Sequence, residues 1–490
     1  MHLRGGEIVK KTTKKTLLLV SFALLAGGCS SSRNSASAGK TSLNQDESAS
    51  ESGKASTAEN TTIDSLSTQP DNTEPALSTG KTLNIWCVND ELPSKMLFVP
   101  GYTSNDSNDP SHGGMLGDVN VKFTFITNAD TTYDAELEAA LGKQMAASDD
   151  EKIDLFVVED DYALKYFDSG YSEDIHKFVS EEDISEMFKY TKDFALSSKG
   201  VIKGVTWQLC PGVLFYNRDI AKEVLGTDEA EEVHKYVKDW ETFEETAEKM
   251  ALNDYLMMPS VNDSYNAFWA KASNKWVDDK GDITIDDALK KWADSSKKLY
   301  DMKATVNQPL WDGYSCAVNG GCFCVFGSPW LIDFCFGYDP DRVADGTADM
   351  SVVANAGKWA VCAGPQSCYY GGGQWILAAA GSDNVSEISH IIKSLTCDAD
   401  VMKKIAQDSA SPVNNHAVME EMATDPSFDK YVLGGMNPFK CYMENADMIP
   451  LFNKTIDDAK YNTEFKEAMT DYFAGLITYE KAVEEFKKAL

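Results

Sequence analysis

Hydrophobic positions after residue 80 form short runs that alternate with helical patterns. Residues 83–88 and 153–158 are continuous apolar runs with many β-branched and aromatic side chains, whereas residues 119–126 alternate between apolar and polar side chains. Both patterns are typical of β-strands. Residues 133–147 instead repeat apolar side chains every four positions, which predicts an amphipathic helix.

The same alternation continues through the second half of the chain. Further strands are predicted at 213–216, 322–326, 359–363 and 375–380, and further helices at 219–225, 240–252, 285–302 and 464–490. Residues 100–117 are rich in Gly, Asn, Asp and Ser and are predicted to form a loop. Strands that alternate with helices predict an α/β fold with parallel strands.

The N-terminal residues show a different pattern, that of a targeting signal. Basic residues between Arg4 and Lys15 precede an apolar run, 17–25, that is too short to span a membrane, and the small residues after it end at Cys29. This arrangement is typical of a secretory signal, and it resembles the lipobox of bacterial lipoproteins. The resemblance implies a signal peptide at 1–28 and a lipidated Cys29 anchored to the outer face of the cell membrane. Ala26 replaces the usual lipobox leucine, so an ordinary secretory signal is the alternative.

Residues 29–80 are dense in Ser, Thr, Ala, Asn and Gly and hold almost no large apolar side chains. Such a segment cannot bury enough surface to offset its ordering entropy, so we expect a disordered tether. Beyond it remain about 410 residues, more than one ordinary domain contains, which fits two lobes or one large unit.

Charge narrows the range of partners. The formal net charge of −32 argues against nucleic acid and phosphate-rich ligands, and it suits a water-facing body with a neutral ligand. We expect a monomer.

Cysteine usage leaves alternatives open. Ten of the eleven cysteines follow Cys29, and several lie inside apolar runs, where small buried thiols are common. Disulfides within 316–368 are the second interpretation, because exported proteins can form them. The spacing of zinc ligands is absent, so neither a metal nor a cofactor is expected.

Motifs of catalysis are absent from the sequence. There is no Walker A loop, HExxH pair or GxSxG elbow. Adjacent carboxylates such as Asp160 and Asp161 occur often in so acidic a chain, and they leave a glycosidase-like pair as a minor alternative.

Several loose motifs follow one another along the chain. Their order, more than any single motif, resembles that of the extracellular solute-binding proteins of carbohydrate ABC transporters, the group that contains maltodextrin-binding proteins. The matching segments are LNIWCVNDE (83–91), IDLFVVEDDYALKYFDSGYSEDI (153–175), TWQLCPGVLFYNRD (206–219), 240–250, FGSPWL (326–331), 370–381, 391–414 and 473–489.

This resemblance implies a periplasmic-binding-protein-like fold, with two α/β lobes, a hinge and a ligand cleft between the lobes. Lobe one would take 81–205 and 366–425, and lobe two would take 206–365 and 426–490. It further implies a binding protein that is not an enzyme and that delivers a sugar or oligosaccharide to a membrane permease.

Candidate site residues follow from the resemblance and from the chemistry of sugars. Aromatic rings stack on the apolar faces of sugars, while carboxylates and amides bond the hydroxyls. Trp311 is included only because the composition of the segment around it suggests a loop. For each aromatic residue, packing in the core is the alternative to ligand contact. The predicted ligand-binding residues are Asp90, Glu91, Asp161, Trp207, Gln208, Tyr265, Trp269, Trp311, Trp330, Gly373, Gln374 and Trp375.

Two other functions remain open at this point. Cys210 and Pro211 occupy a strand position where related proteins often have a polar residue, so the ligand need not be a maltodextrin. A non-sugar ligand (polyamine, peptide or metal) is the first alternative, because paired acids suit an amine. A secreted glycoside hydrolase is the second.

Overall fold

A computed structural model describes residues 81–126, 132–336, 357–409, 411–425, 433–450 and 454–490. The expected signal peptide at 1–28, the lipidation of Cys29 and the tether at 29–80 lie outside the described residues. Within those ranges, no helix combines the length and the apolar character needed to cross a membrane.

Strands of the described residues form two sheets. In chain order they are β1 (Thr82–Trp86), β2 (Tyr102–Ser104), β3 (Gly114–Leu116), β4 (Val119–Thr124), β5 (Leu155–Glu159), β6 (Val213–Asn217), β7 (Cys324–Gly327), β8 (Trp359–Cys362) and β9 (Gln374–Ala378). The first sheet has the order β2-β3-β4-β1-β5-β9, and the second has the order β7-β6-β8.

Helices pack around both sheets. They are α1 (Glu91–Met96), α2 (Tyr133–Leu141), α3 (Asp160–Phe167), α4 (Lys189–Phe194), α5 (Arg218–Leu225), α6 (Ala230–Val237), α7 (Trp240–Leu252), α8 (Tyr265–Trp269), α9 (Asp287–Asp301), α10 (Leu310–Val318), α11 (Val385–Thr396), α12 (Ala399–Ser409), α13 (His416–Ala423), α14 (Phe439–Asp447), α15 (Asp458–Ala468), α16 (Thr470–Phe473) and α17 (Tyr479–Ala489).

Local chemistry explains where several helices begin. The side chain of Asp239 accepts the Thr242 N–H at 2.8 Å, and this capping box starts α7 at the predicted residue. The Asn217 side chain accepts backbone N–H groups at the start of α5, and Gly226 ends that helix in the left-handed conformation. The helical tail predicted at 464–490 consists of the end of α15, α16 and α17, with a left-handed Gly475 between α16 and α17.

Strand direction differs in part from the sequence expectation. β1 is parallel to β4 and β5, as predicted. β9 is antiparallel to β5, and the second sheet is antiparallel throughout, so the expectation of parallel strands is wrong there. The predicted loop at 100–117 instead contributes β2 and β3, which extend the first sheet from β4.

Burial explains why the apolar runs are continuous. In β5, Leu155 and Val157 pack into one hydrophobic cluster, whereas Phe156 and Val158 pack into another, and all four are fully buried. A strand covered on both faces needs apolar side chains at every position.

Two crossing segments, 205–212 and 363–373, connect the sheets and lie side by side. The Gly212 N–H donates to the Tyr369 carbonyl at 2.7 Å, and the Gly371 N–H donates to the Cys210 carbonyl at 2.8 Å. The Ser328 hydroxyl, just after β7, donates to the same Cys210 carbonyl at 3.2 Å. These hydrogen bonds hold both crossing segments and the end of β7 together around the Cys210 carbonyl.

All ten cysteines in the described ranges are free thiols. Cys87, Cys210, Cys322, Cys324 and Cys362 are buried, as the apolar runs around them indicated. Burial raises the pKa of the Cys322 and Cys324 thiols well above the usual range.

Candidate functional site

A cavity of about 90 Å³ lies beside the crossing segments. One wall is the N-terminal turn of α3, which directly follows β5, so the cavity lies at the carboxyl end of a strand, where α/β proteins commonly bind ligands. The opposite walls come from α8 and from the start of α15. Its lining includes Asp160, Asp161, Trp269, Tyr370, Lys454 and Asn462.

Gly372 of the crossing segment lies near two side chains of the site. A Cβ at this position would lie 3.7 Å from Asp160 Oδ1 and 3.9 Å from Trp330 Nε1. Its φ of 96° also lies in the region that favours glycine. An added Cβ would therefore be in ordinary van der Waals contact with both side chains, and the backbone conformation rather than the available space calls for glycine here.

Trp330 is fixed by the neighbouring glycine. Its Nε1–H donates to the Gly371 carbonyl at 3.0 Å, and the ring is half-buried beside Tyr314 and Trp311. Because the polar edge of the indole has a partner within the chain, the ring offers a ligand chiefly its apolar surface.

Burial in this setting changes the ionisation of two of the carboxyl groups that line the cavity. Burial, followed by the charge of Asp161, raises the pKa of the Asp160 carboxyl to about 7, although Lys454 acts in the opposite direction. Burial also raises the pKa of Asp458, even though this carboxylate accepts the Thr455 N–H at 3.0 Å and the Thr455 hydroxyl at 2.6 Å.

Lys454 lies against aromatic rings. Its ammonium is 4.9 Å from the ring centroid of Phe194 and 4.8 Å from that of Tyr370. These distances are within the range of cation–π attraction. Tyr370 precedes the glycine segment and accepts the Trp375 indole N–H at 2.8 Å, so the lysine packs against the crossing itself.

An amide pair lies behind the glycine segment. Gln374 Nε2 donates to Asn89 Oδ1 at 2.8 Å, and the same oxygen accepts the Glu91 N–H at 3.0 Å. The backbone N–H fixes the orientation of Asn89, and Asn89 in turn fixes that of Gln374. Among the described residues, no group donates to Gln374 Oε1, although the side chain is buried.

Five of the predicted residues lie in or beside this site. Asp161 and Trp269 line the cavity, Trp330 and Gly373 adjoin its glycine segment, and Gln374 belongs to the amide pair. Trp269 also stacks on Trp276, with ring centroids 5.6 Å apart.

Four other predicted residues are packed in the core. Trp207 and Trp375 are each 1 % exposed. Tyr265 is buried with its hydroxyl donating to Asn462 Oδ1 at 2.8 Å, and Gln208 is buried on a strand that pairs with Val413.

The last three predicted residues lie outside the cavity lining. Asp90 is exposed ahead of α1, and Trp311 is 55 % exposed on α10 rather than on a loop. Glu91 is half-buried at the start of α1. Its charge and that of Asp160 add to burial in raising the pKa of Cys210, so Glu91 lies near the crossing.

Sequence reasoning missed several groups in the site. Asn89 follows a predicted strand and Tyr370 directly precedes the glycine triplet, so their positions carried a signal, whereas Asp160 was named as one of the paired acids but not among the ligand-binding residues. Lys454 and Asn462 gave none, because they belong to an exposed-looking helical region. Among the residues that the structure describes, no group of three or more His, Cys, Asp or Glu side chains is arranged to hold a metal ion.

Solved structures of binding proteins share this fold. An extracellular solute-binding protein of family 1 is 17 % identical, with a TM-score of 0.63 over 83 % of this chain and 99 % of that one. The GacH receptor of Streptomyces glaucescens, solved with acarbose, is 15 % identical, with a TM-score of 0.58 over 84 % and 98 %. The galacto-N-biose/lacto-N-biose I-binding protein of Bifidobacterium longum is 17 % identical, with a TM-score of 0.58 over 85 % and 96 %.

These structures are two-lobe periplasmic solute-binding proteins, and the present chain has the same fold. No curated protein matches the sequence significantly. A family model described as bacterial extracellular solute-binding protein matches residues 120–430, which is more than half of the chain. The chain therefore belongs to the family of bacterial extracellular solute-binding proteins.

Proposed function

We propose that this protein is the substrate-binding component of an ABC importer and that it captures a sugar or oligosaccharide in the cleft. The observation that carries the proposal is the combination of Trp330 and Asp160 around Gly372, where a Cβ would approach both side chains within 4 Å. An apolar ring beside a carboxylate suits a sugar, because sugars present C–H faces and hydroxyl donors.

The relatives support the same ligand class. One was solved with acarbose and another with lacto-N-biose, and a third, from Thermotoga maritima, with maltose. Because these proteins are at most 17 % identical to this chain, the ligand is proposed here from the cleft chemistry together with that precedent.

The remaining parts of the proposal concern delivery. We assign 81–205 and 366–425 to lobe one, and 206–365 and 426–490 to lobe two, with closure over the ligand at the two crossings. A lipidated Cys29 and the tether at 29–80 would hold the monomeric body near its permease at the outer face of the membrane. The protein would bind its ligand without turnover.

A second candidate is a polyamine as ligand. The cavity contains Asp160, Asp161 and Asp458 against the single ammonium of Lys454 among its described lining residues. Such a balance favours a cation over an anion.

A thermal-shift screen of the full chain against neutral glycans, amino sugars, peptides and spermidine tests both candidates. A ligand at one hundred times its dissociation constant stabilises a protein by about 2.7 kcal/mol. We expect a rise in melting temperature with saccharides. A response to spermidine or peptides alone, with none to any saccharide, would reject the sugar-binding function.

A tryptophan variant then tests the site. Trp330→Ala removes the apolar ring beside Asp160, and we expect it to weaken saccharide binding by about tenfold or more, as for a buried aromatic anchor. Leu252→Ala is the control, because Leu252 is 79 % exposed at the end of α7. Unchanged affinity in Trp330→Ala would place the ligand elsewhere.

A further inference from the structure

Neither carboxylate at the start of α3 forms a direct ion pair among the described residues, although the charge of Lys454 acts on Asp160 and that of Asp161 acts on Lys466. Lysine, arginine and histidine side chains of the described residues form ion pairs with many acids, but none forms one with Asp160 or Asp161. Lys454 is the nearest candidate within the cavity, and its ammonium lies against Phe194 and Tyr370 instead. Asp160 and Asp161 are therefore available to a ligand in the cavity that they line.

The third carboxylate of the cavity differs from this pair. Both oxygens of Asp458 accept hydrogen bonds from Thr455, one from its N–H and one from its hydroxyl. Its capacity for a ligand is therefore partly used by the turn just before α15, whereas no other described residue donates a hydrogen bond to the side chain of Asp160 or Asp161.

An independent observation also points to a missing donor. Gln374 is 3 % exposed, and its Oε1 has no donor among the described residues. Asn89 fixes the amide with this oxygen directed away from itself. On the sheet, Gln374 pairs with Glu159, the residue directly before Asp160, so the orphan acceptor and the acidic pair lie at the same end of the β5–β9 strand pair. A buried acceptor of this kind is normally satisfied by an N–H or O–H donor, which a ligand or an ordered water can supply.

The rings beside the acids suit a cation as well as a sugar. Trp330 Nε1 and Asp160 Oδ1 are both close to Gly372, and Trp269 shares the cavity with Asp161. A protonated amine gains from a carboxylate and from an aromatic ring at the same time. Lys454 already makes such a ring contact at the edge of this cavity.

We infer that the cleft is selective for saccharides that carry a protonated amine, with the ammonium held by Asp160 and Asp161 and a sugar ring against Trp330. The substrate class is therefore the amino sugars with free amines, in preference to their neutral or N-acetylated counterparts. This inference rests on the proposed sugar-binding function and makes it more specific.

Isothermal titration of the full chain with matched saccharides tests the inference. The probes are glucosamine against glucose and N-acetylglucosamine, galactosamine against galactose, and the chitosan disaccharide against N,N′-diacetylchitobiose and cellobiose. We expect the best amine to bind at least about tenfold more tightly than its neutral partners at low salt. The preference should shrink in 0.5 M NaCl, since partly exposed charge pairs are screened by salt.

Variants identify the carboxylates that cause the preference. In Asp160→Asn/Asp161→Asn we expect the ratio of amine to neutral affinity to fall to about one, with neutral binding retained. Glu245→Gln/Glu248→Gln is the matched control, because it also removes two negative charges, both from exposed positions on α7. An unchanged ratio in the double variant would overturn the assignment to this pair.

Failure of the inference and failure of the proposed function give different results. Neutral saccharides that bind as tightly as their amines would overturn the inference and leave sugar binding intact. Spermidine binding without saccharide binding, or no binding by any probe, would reject both.

Discussion

The Lys454 ammonium lies 4.8 Å from the ring centroid of Tyr370, the residue that precedes the glycine segment. It is also 4.9 Å from the ring of Phe194. A cation between two rings contributes about 0.5–1 kcal/mol when it is partly exposed. We therefore expect Lys454→Met, which keeps the apolar stem, to lower the free energy of unfolding by about that amount. Denaturant titration measures the change, and Lys487→Met on the exposed face of α17 is the control. Equal stability of the two variants would contradict the contact.

Alanine substitutions at Gly372 and Gly226 distinguish backbone strain from contact of the added methyl group with the site. Gly372→Ala introduces left-handed strain at a φ of 96° and places a Cβ near Asp160 and Trp330. Gly226→Ala introduces similar strain at a φ of 79°, but with no heavy atom within 4 Å of its Cβ. Both should lose about 1–2 kcal/mol of stability, whereas only Gly372→Ala should lose affinity in a titration with the tightest saccharide. Equal affinities would place the ligand away from this segment.

Gln374 and Gln144 form a matched pair of buried glutamines. Gln144 uses both amide atoms, donating to the Ile153 carbonyl at 2.6 Å and accepting its N–H at 2.9 Å. We expect Gln144→Met to cost about 1–3 kcal/mol of stability without affecting binding. Gln374→Met removes an acceptor that has no donor, so its stability should stay unchanged or rise, while saccharide affinity falls about tenfold. A stable Gln374→Met with full affinity would remove Gln374 from the site.

Buried carboxyls set a pH dependence. Burial raises the pKa of Asp154 to about 6, and burial and Asp161 raise that of Asp160 to about 7. The unfolded chain has ordinary values near 3.9. Between pH 4 and pH 7 the folded protein therefore holds protons that the unfolded chain releases, and the free energy of unfolding falls as the pH rises through this window.

Asp160→Asn isolates one contribution to that slope. The groups that act on Asp160 are Glu159 and Asp161 beside it and Lys454 across the cavity. We expect the variant to be more stable than the parent at pH 7.5, by on the order of 1 kcal/mol, and to match it near pH 4. Denaturant titrations at both pH values measure this difference, with Glu248→Gln as the charge control. A variant that is less stable at pH 7.5 would show that Asp160 is ionised without cost.

Sequence patterns predicted the elements better than their arrangement. The bounds of α7 were predictable because Asp239 and Thr242 form a capping box at its start. The direction of β9 was not, because a strand buried on both faces has the same apolar run in either direction. The short strands β2 and β3 carry exposed positions and glycine, so composition alone indicated a loop.

The site shows the same limit at the level of single residues. The sequence-based prediction named Asp161 as ligand-binding, whereas the adjacent Asp160 is the residue that approaches Gly372. Adjacent residues at a helix start differ only in the direction of their side chains, which the sequence does not show. Trp207 and Trp375 lie at strand ends, as Trp330 does, but they pack inward. Only tertiary packing separates an inward ring from one beside a cavity.

The hydrogen bond from Trp330 to the Gly371 carbonyl attaches this tryptophan to the crossing segment. When two bodies rotate apart about an axis, the atoms nearest the axis move least. If the lobes proposed above rotate about the crossing segments, Trp330 should therefore move little relative to the crossing that holds it. A ligand stacked on this ring would then keep that contact as the proposed lobes separate.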